Sequence, residues 1–168
     1  MRFKSLFFFF MAALFLVSCQ KETNPDAAGR PEFAYNTKAA QLLDMVNKIR
    51  QSGCKCDTEN MTPVGPLAWN DLLGKAAFLH SEDMNKRNYF DHKSPEGETF
   101  VDRAKSVGYN SFTALGENIA RGQSTEQEVF NSWIKSKAHC KAIMNGQFKE
   151  MGLGRSGNCW TQTFGASK

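Results

Sequence analysis

The first eighteen residues constrain the rest of the chain most, because they decide the compartment in which it folds. Arg2 and Lys4 form a short positive stretch, and Leu6 to Leu16 form an apolar run. That run falls short of the roughly 20 apolar residues needed to cross a bilayer. Residues 1–18 therefore read as an export signal rather than an anchor. An exported chain meets oxidising conditions, in which cysteines pair. Setting aside Cys19 at the edge of the signal, four cysteines remain, Cys54, Cys56, Cys140 and Cys159, and an even set predicts two disulfides. A bond between Cys54 and Cys56 would close a ring around one residue and strain the bridge geometry. The expectation is that this pair joins Cys140 and Cys159, one each, with the partner assignment open. Each bridge would close a long loop and add roughly 2–4 kcal/mol of stability. A zinc site made from the four is the rival reading. It is disfavoured because Cys140 and Cys159 lack the close spacing of a structural zinc site.

Leu16-Val17-Ser18-Cys19 resembles the bacterial lipobox, in which a small residue precedes a cysteine that is acylated and becomes the mature N-terminus. Cys19 is thus the expected lipidation site, with acyl chains such as palmitate as the membrane anchor. Gln20 stands where an aspartate would retain a lipoprotein at the inner membrane. The expected location is the outer membrane, on its periplasmic face or at the cell surface.

Charge excludes one large class of partner. Without Arg2 and Lys4 the chain has 19 basic against 17 acidic residues and no basic block, so a nucleic-acid ligand is not expected. Residues 19–36 are polar, carry Pro25 and Pro31, and show no apolar period, which predicts a tether after the lipidated N-terminus. The compact domain is expected over 37–168, a length suited to one core. Leu42, Val46 and Ile49 predict a first helix ended by Gly53. Asn70 caps a second, with Leu72, Leu73, Ala76, Ala77, Leu79 and Met84 inward. Thr99 to Asp102 starts a short third helix. Thr125 to Glu128 is a capping box before Val129 and Trp133, the fourth. Met151–Arg155 and Cys159–Phe164, joined through Ser156-Gly157-Asn158, form a hairpin candidate. Helices first and strands last predict an α+β fold. No unburied apolar stripe suggests an oligomer, so a monomer is expected.

The chain has three histidines. His80 lies beside an apolar helix face and reads as a packing residue. His92 sits in a loop, Glu117 follows a glycine and precedes Asn118 and Ile119, and His139 lies three residues after Ser136. On a continuous helix Ser136 and His139 would share a face. Neither an HExxH zinc motif nor a GxSxG nucleophile elbow occurs. Two histidines and a carboxylate suit a zinc cleft, and they equally suit a hydrogen-bonded brace.

Five short motifs in order resemble the CAP superfamily, the SCP-domain family of cysteine-rich secretory, antigen 5 and pathogenesis-related proteins. They are Leu67 to Asn70; Ala77 to Met84 with Tyr89-Phe90-Asp91-His92-Lys93-Ser94-Pro95; Gly116 to Ala120; Trp133 to Met144; and Met151 to Gly154 with Trp160 to Gly165. The resemblance covers about 38–168 and points to the bacterial lipoprotein branch. It implies an α-β-α sandwich with a central antiparallel sheet flanked by helices, and a cleft of two histidines and two acids. Carried over, His92, Glu117 and His139 are the metal candidates, with Ser136 at the second acid position. A neutral serine there is a poorer cation ligand than a carboxylate.

The favoured functional expectation is a lipid-anchored binding or interaction module whose natural ligand is unknown. It needs no cofactor, although its cleft suits zinc or another divalent cation. The alternatives are a metal-assisted hydrolase or peptidase, with Glu117 and His139 as catalytic candidates, and a lipid or sterol carrier. A Ser136-His139-Glu117 triad is a variant of the hydrolase, disfavoured because its serine and histidine lie one turn apart on one helix.

Overall fold

A computed structural model describes residues 34–168. The export signal, Cys19 and most of the tether fall outside the described residues. Eleven elements follow in chain order: α1 (Thr37–Ser52), β1 (Cys54–Cys56), β2 (Glu59–Met61), β3 (Ala68–Trp69), α2 (Asp71–Arg87), α3 (Phe100–Ser106), β4 (Phe112–Arg121), α4 (Glu126–Lys135), α5 (Lys137–Ile143), β5 (Glu150–Ser156) and β6 (Cys159–Ser167).

Polar caps start the helices. Asn36 Oδ1 accepts from Lys38 N and Ala39 N at α1, and Asn70 Oδ1 from Leu72 N and Leu73 N at α2. Thr99 and Asp102 complete a reciprocal capping box at α3. The box expected at α4 forms differently. Thr125 Oγ1 accepts from Glu128 N, but the Glu128 carboxylate reaches past the cap to Ser124 N at 2.8 Å. The fourth helix also ends sooner than expected. Ser136 is extended, with φ −89° and ψ 121°, and breaks the run into α4 and α5.

The main sheet runs β3-β5-β6-β4. β5, β6 and β4 are antiparallel neighbours, and the two-residue β3 adds a short parallel edge. Alternation along the strands assigns side chains to two faces. Met151, Leu153, Trp160 and Phe164 join Leu42, Val46, Val129, Trp133 and Ile143 in the larger core, which places α1, α4 and α5 on that face. On the other face α2 lies against Gly152 and Gly154. A Cβ at Gly152 would stand 2.0 Å from Gly74 N, and one at Gly154 2.1 Å from Phe78 N. The two glycines let the α2 backbone rest directly on the strand. Ser81 Oγ adds a hydrogen bond to Thr161 Oγ1 at 2.9 Å, and Leu73, Ala104 and Tyr109 fill the space beside α3. The result is the expected α-β-α arrangement, with β4 at the edge away from β3.

The cysteines correct the two-bridge expectation. Among the described residues one bridge forms, Cys56 to Cys140, tying β1 to α5, and Cys54 and Cys159 are free thiols. The CxC segment is a strand of a small hairpin with β2, where a loop was expected. Residues i and i+2 of a strand point to one side, so Cys54 and Cys56 both face Cys140. Cys159 is buried elsewhere, with Met84 and Ile119, and Arg121 Nε lies 3.3 Å from its sulfur.

Candidate functional site

The site is built around β4. Its Gly116-Glu117-Asn118 segment lies opposite Phe164-Thr163-Gln162 of β6. Successive side chains leave a strand on opposite faces, so Glu117 points toward α2 and α3, and Asn118 toward α5. A Cβ at Gly116 would stand 2.6 Å from the Phe148 ring, which accounts for the glycine that opens the segment.

The Glu117 side chain is 1% exposed. Its Oε2 accepts from Arg103 Nη2 at 2.9 Å and its Oε1 from His92 Nδ1 at 2.9 Å. A buried carboxylate requires such partners. Arg103, on α3, also donates to the carbonyls of His92 (2.9 Å) and Glu98 (3.1 Å). His80, on α2, is buried as a packing residue would be. It is polar in role as well: its Nε2 lies 2.9 Å from the Asp91 carbonyl and 4.0 Å from Glu117 Oε1. Arg121 Nη2 donates to the Tyr89 carbonyl from two positions further along the same face of β4. Backbone oxygens of Tyr89, Asp91, His92 and Glu98 are thus held by three buried or half-buried cationic or imidazole groups. Those bonds give a segment with no regular structure a defined path, and they deliver His92.

His139 arrives from the other face. Its backbone carbonyl accepts from Asn118 Nδ2 at 3.3 Å, and the same amide reaches Gln162 Oε1 at 3.2 Å. His92 and His139 line one cleft of about 480 Å³ across the β4 edge, together with Phe90, Asp91, Gln123 and Ser132. That volume lies within the range of small-ligand sites. Glu117 stands behind His92 rather than in the cleft wall, and Ser136 is not among the lining residues. Among the described residues, Gln123 Oε1 is a buried side-chain oxygen with no hydrogen-bond partner.

The histidines differ in charge preference. The hydrogen bond to Glu117 raises His92 above the ordinary histidine value, and leaves Nε2 as its open nitrogen. Burial, and then the nearby His92, lower His139, so His139 is a neutral imidazole at pH 7. Burial also lowers His80, against the pull of Glu117.

A cation in this cleft would meet two imidazoles, with Glu117 orienting His92 from behind, as carboxylates orient metal-binding histidines elsewhere. Both Glu117 oxygens already have donors. Among the described residues, the group whose ligand atoms cluster for a metal is a different one, Cys54, Cys56 and Cys140, within 4.8 Å of one another. Two of those sulfurs are joined in the bridge.

Arg103 and Asn118 were not singled out from the sequence. A recognisable signal did exist: a glutamate between apolar strand positions demands a buried cation, and Arg103 is one of the few basic residues on a short helix with an apolar face.

Residues 43–164 match the model of the cysteine-rich secretory protein family, CAP. A Bacillus subtilis (strain 168) relative described as uncharacterized protein YkwD is 46% identical over 150 residues, which make up 88% of this chain and 53% of the relative. The chain therefore spans about half the length of that curated relative. Among solved structures, an extracellular protein containing a SCP domain from Bacillus anthracis superposes with a TM-score of 0.67 at 32% identity, covering 78% of this chain and 40% of that one. An outer surface protein from Borrelia burgdorferi shares the fold, with a TM-score of 0.61 at 21% identity over 77% of this chain and 89% of that one. Among the described residues no helix is long and apolar enough to cross a membrane.

Proposed function

The chain belongs to the cysteine-rich secretory protein (CAP) family, and from that premise we propose that it is a binding module displayed outside the cytoplasm. Cys19 carries the lipid that holds it at a membrane, and the cleft between His92 and His139 is where it takes its ligand. The observation that carries this reading is the mounting of the two imidazoles. They are presented from opposite faces of one strand to a common cleft, His92 held through its ring by Glu117 and His139 through its backbone carbonyl by Asn118. Such an arrangement is preorganised, which lowers the entropy lost on binding.

A divalent cation is the inorganic part of that ligand. His92 and His139 would hold it, His92 after losing its proton, and the ion would supply positive charge for a ligand's anionic group. Two nitrogen donors make a modest site, so the ion is expected to bind together with the ligand rather than reside permanently. The similar proteins from Bacillus anthracis and Borrelia burgdorferi, described as an extracellular and an outer surface protein, support an extracytoplasmic setting. Placement at the outer membrane is part of the same proposal.

The site supports binding over hydrolysis. A general base needs a free oxygen within reach of the water it activates, and both Glu117 oxygens have donors. The hydroxyl lining the cleft, Ser132, accepts from Gln123 Nε2 at 3.4 Å. Ser136 sits at the break between α4 and α5, outside the cleft lining.

Calorimetric titration of zinc into the chain from Gln20 onward, beside His92→Ala and His139→Ala, tests the reading. Binding near one equivalent that both substitutions abolish is the expected result. Zinc uptake unchanged in both folded variants would sink the cleft as a cation site.

A further inference from the structure

The three cysteines beneath α5 form a group that the cleft does not use. Cys54 is a half-buried free thiol, Cys56 and Cys140 are bridged and buried, and Cys54 Sγ lies 3.8 Å from Cys140 Sγ. Both members of the CxC segment leave β1 on the side that faces α5. Cys140 therefore has two equivalent suitors separated by one residue. It is also the residue after His139, so its bridge anchors the turn of helix that carries a cleft histidine.

We propose that Cys54, Cys56 and Cys140 are a thiol–disulfide exchange site, in which the bridge to α5 migrates between positions 56 and 54 of the same strand. The Cys54 thiol gives its proton to solvent, and the thiolate attacks Cys140 Sγ. A Cys54–Cys140 bond forms as the Cys56–Cys140 bond breaks, and the Cys56 thiolate takes up a proton. The electron count of the trio is unchanged, so the step needs no oxidant or reductant. Attack on a disulfide runs along the bond being broken, and a turn of the half-buried Cys54 side chain about its own Cα–Cβ bond precedes it.

The exchange moves the free thiol, not the anchor. In one isomer the thiol stands half-buried at position 54, open to reagents from solution; in the other it is enclosed at position 56, where side-chain burial is complete. α5 and His139 remain tied to the β1–β2 hairpin in both. The site thus presents a thiol to an external disulfide or electrophile in one isomer and withdraws it in the other. Cys159, buried on β6 beside Arg121, takes no part.

The chain itself makes the test direct, because Lys55 separates the two cysteines and trypsin cleaves between them. The full chain is held at pH 8.5 without reductant, its free thiols are capped with a maleimide at pH 6, and the linked peptides are identified by mass spectrometry. Two linked peptides are expected, one joining the Cys140 peptide to the Cys56 peptide and one joining it to the Cys54 peptide, reaching a constant ratio with time. In Cys56→Ser the Cys54–Cys140 link should form alone, and in Cys54→Ser only the original link. A wild-type chain that keeps Cys56–Cys140 alone, with Cys54 capped in every molecule, overturns the proposal whatever the variants do.

Discussion

Glu117 and Arg103 form an ion pair of 2.9 Å in which both side chains are almost wholly buried, 1% and 6% exposed. The pair is surrounded by the segment it organises. Arg103 places two further donors on the carbonyls of His92 and Glu98, so three of its five N–H groups hold this segment and the carboxylate. Removing the carboxylate would leave a buried positive charge facing an amide, which costs far more than the pair itself contributes.

Glu117→Gln is therefore expected to lose about 3–5 kcal/mol of unfolding free energy. Urea denaturation followed by tryptophan fluorescence reads this directly. A loss below about 1 kcal/mol would mean that Arg103 finds water or another acceptor, and the ion pair would not be the brace of the cleft.

The histidines should titrate in opposite directions from the ordinary value. His92 is raised by its Glu117 bond, so its contribution to stability is full below about pH 6.5 and is lost as pH rises through the folded value. His139 and His80 are lowered, chiefly by burial. Protonating them opposes folding, so their contribution is present above about pH 6.5 and is lost as pH falls below it. Ring-proton NMR should place the His92 midpoint above, and the His139 midpoint below, that of a histidine in an unstructured peptide. The His92 midpoint should drop in Glu117→Gln; an unmoved midpoint contradicts the assigned cause.

Asn118 ties α5 to β6 through one amide. Asn118→Ala removes donors to the half-buried His139 carbonyl and to the buried Gln162 Oε1, which loses its hydrogen-bond donor. A loss of about 1–3 kcal/mol is expected, together with weaker zinc binding than wild type. If stability falls while zinc affinity is unchanged, the amide braces the core without positioning His139.

Gly152→Ala should be among the most damaging small substitutions in the chain. The added methyl would meet the backbone of α2 at 2.0 Å, and backbone cannot rotate aside. A loss of at least about 3 kcal/mol, at the upper end for overpacking, is expected. Gly65→Ala, with nothing within 4 Å of the new methyl, is the matched control and should change stability by less than about 0.5 kcal/mol. Comparable thermal midpoints for the two variants would refute the direct seating of α2 on β5.

The helices and the closing hairpin were legible because their signals are local. Asn70 and Thr99 sit beside the turns they cap, and Gly157 lies in the two-residue turn it permits. The layered α+β arrangement and the family were legible from motifs in order. What escaped has long-range or opposed causes. Arg103 acts on residues 11 and 14 positions away, a distance at which side-chain spacing carries no signal. The break at Ser136 lacks glycine or proline, so nothing local announced that His139 would lie on a new helix beginning at Lys137. The second bridge was expected from an even cysteine number, yet the strand at Cys54–Cys56 points both sulfurs at one partner and leaves Cys159 out of reach.

The two histidines depend on neighbouring positions of one strand, Glu117 for one wall and Asn118 for the other. Their anchors are thus gauged across a single peptide unit, about 3.4 Å of extended chain, rather than by the 46 residues between the two histidines in sequence. Loops on either side can lengthen, shorten or change composition without resetting that gauge. The cleft's outer walls are free to diversify toward different ligands while its two histidines keep the same anchors on β4.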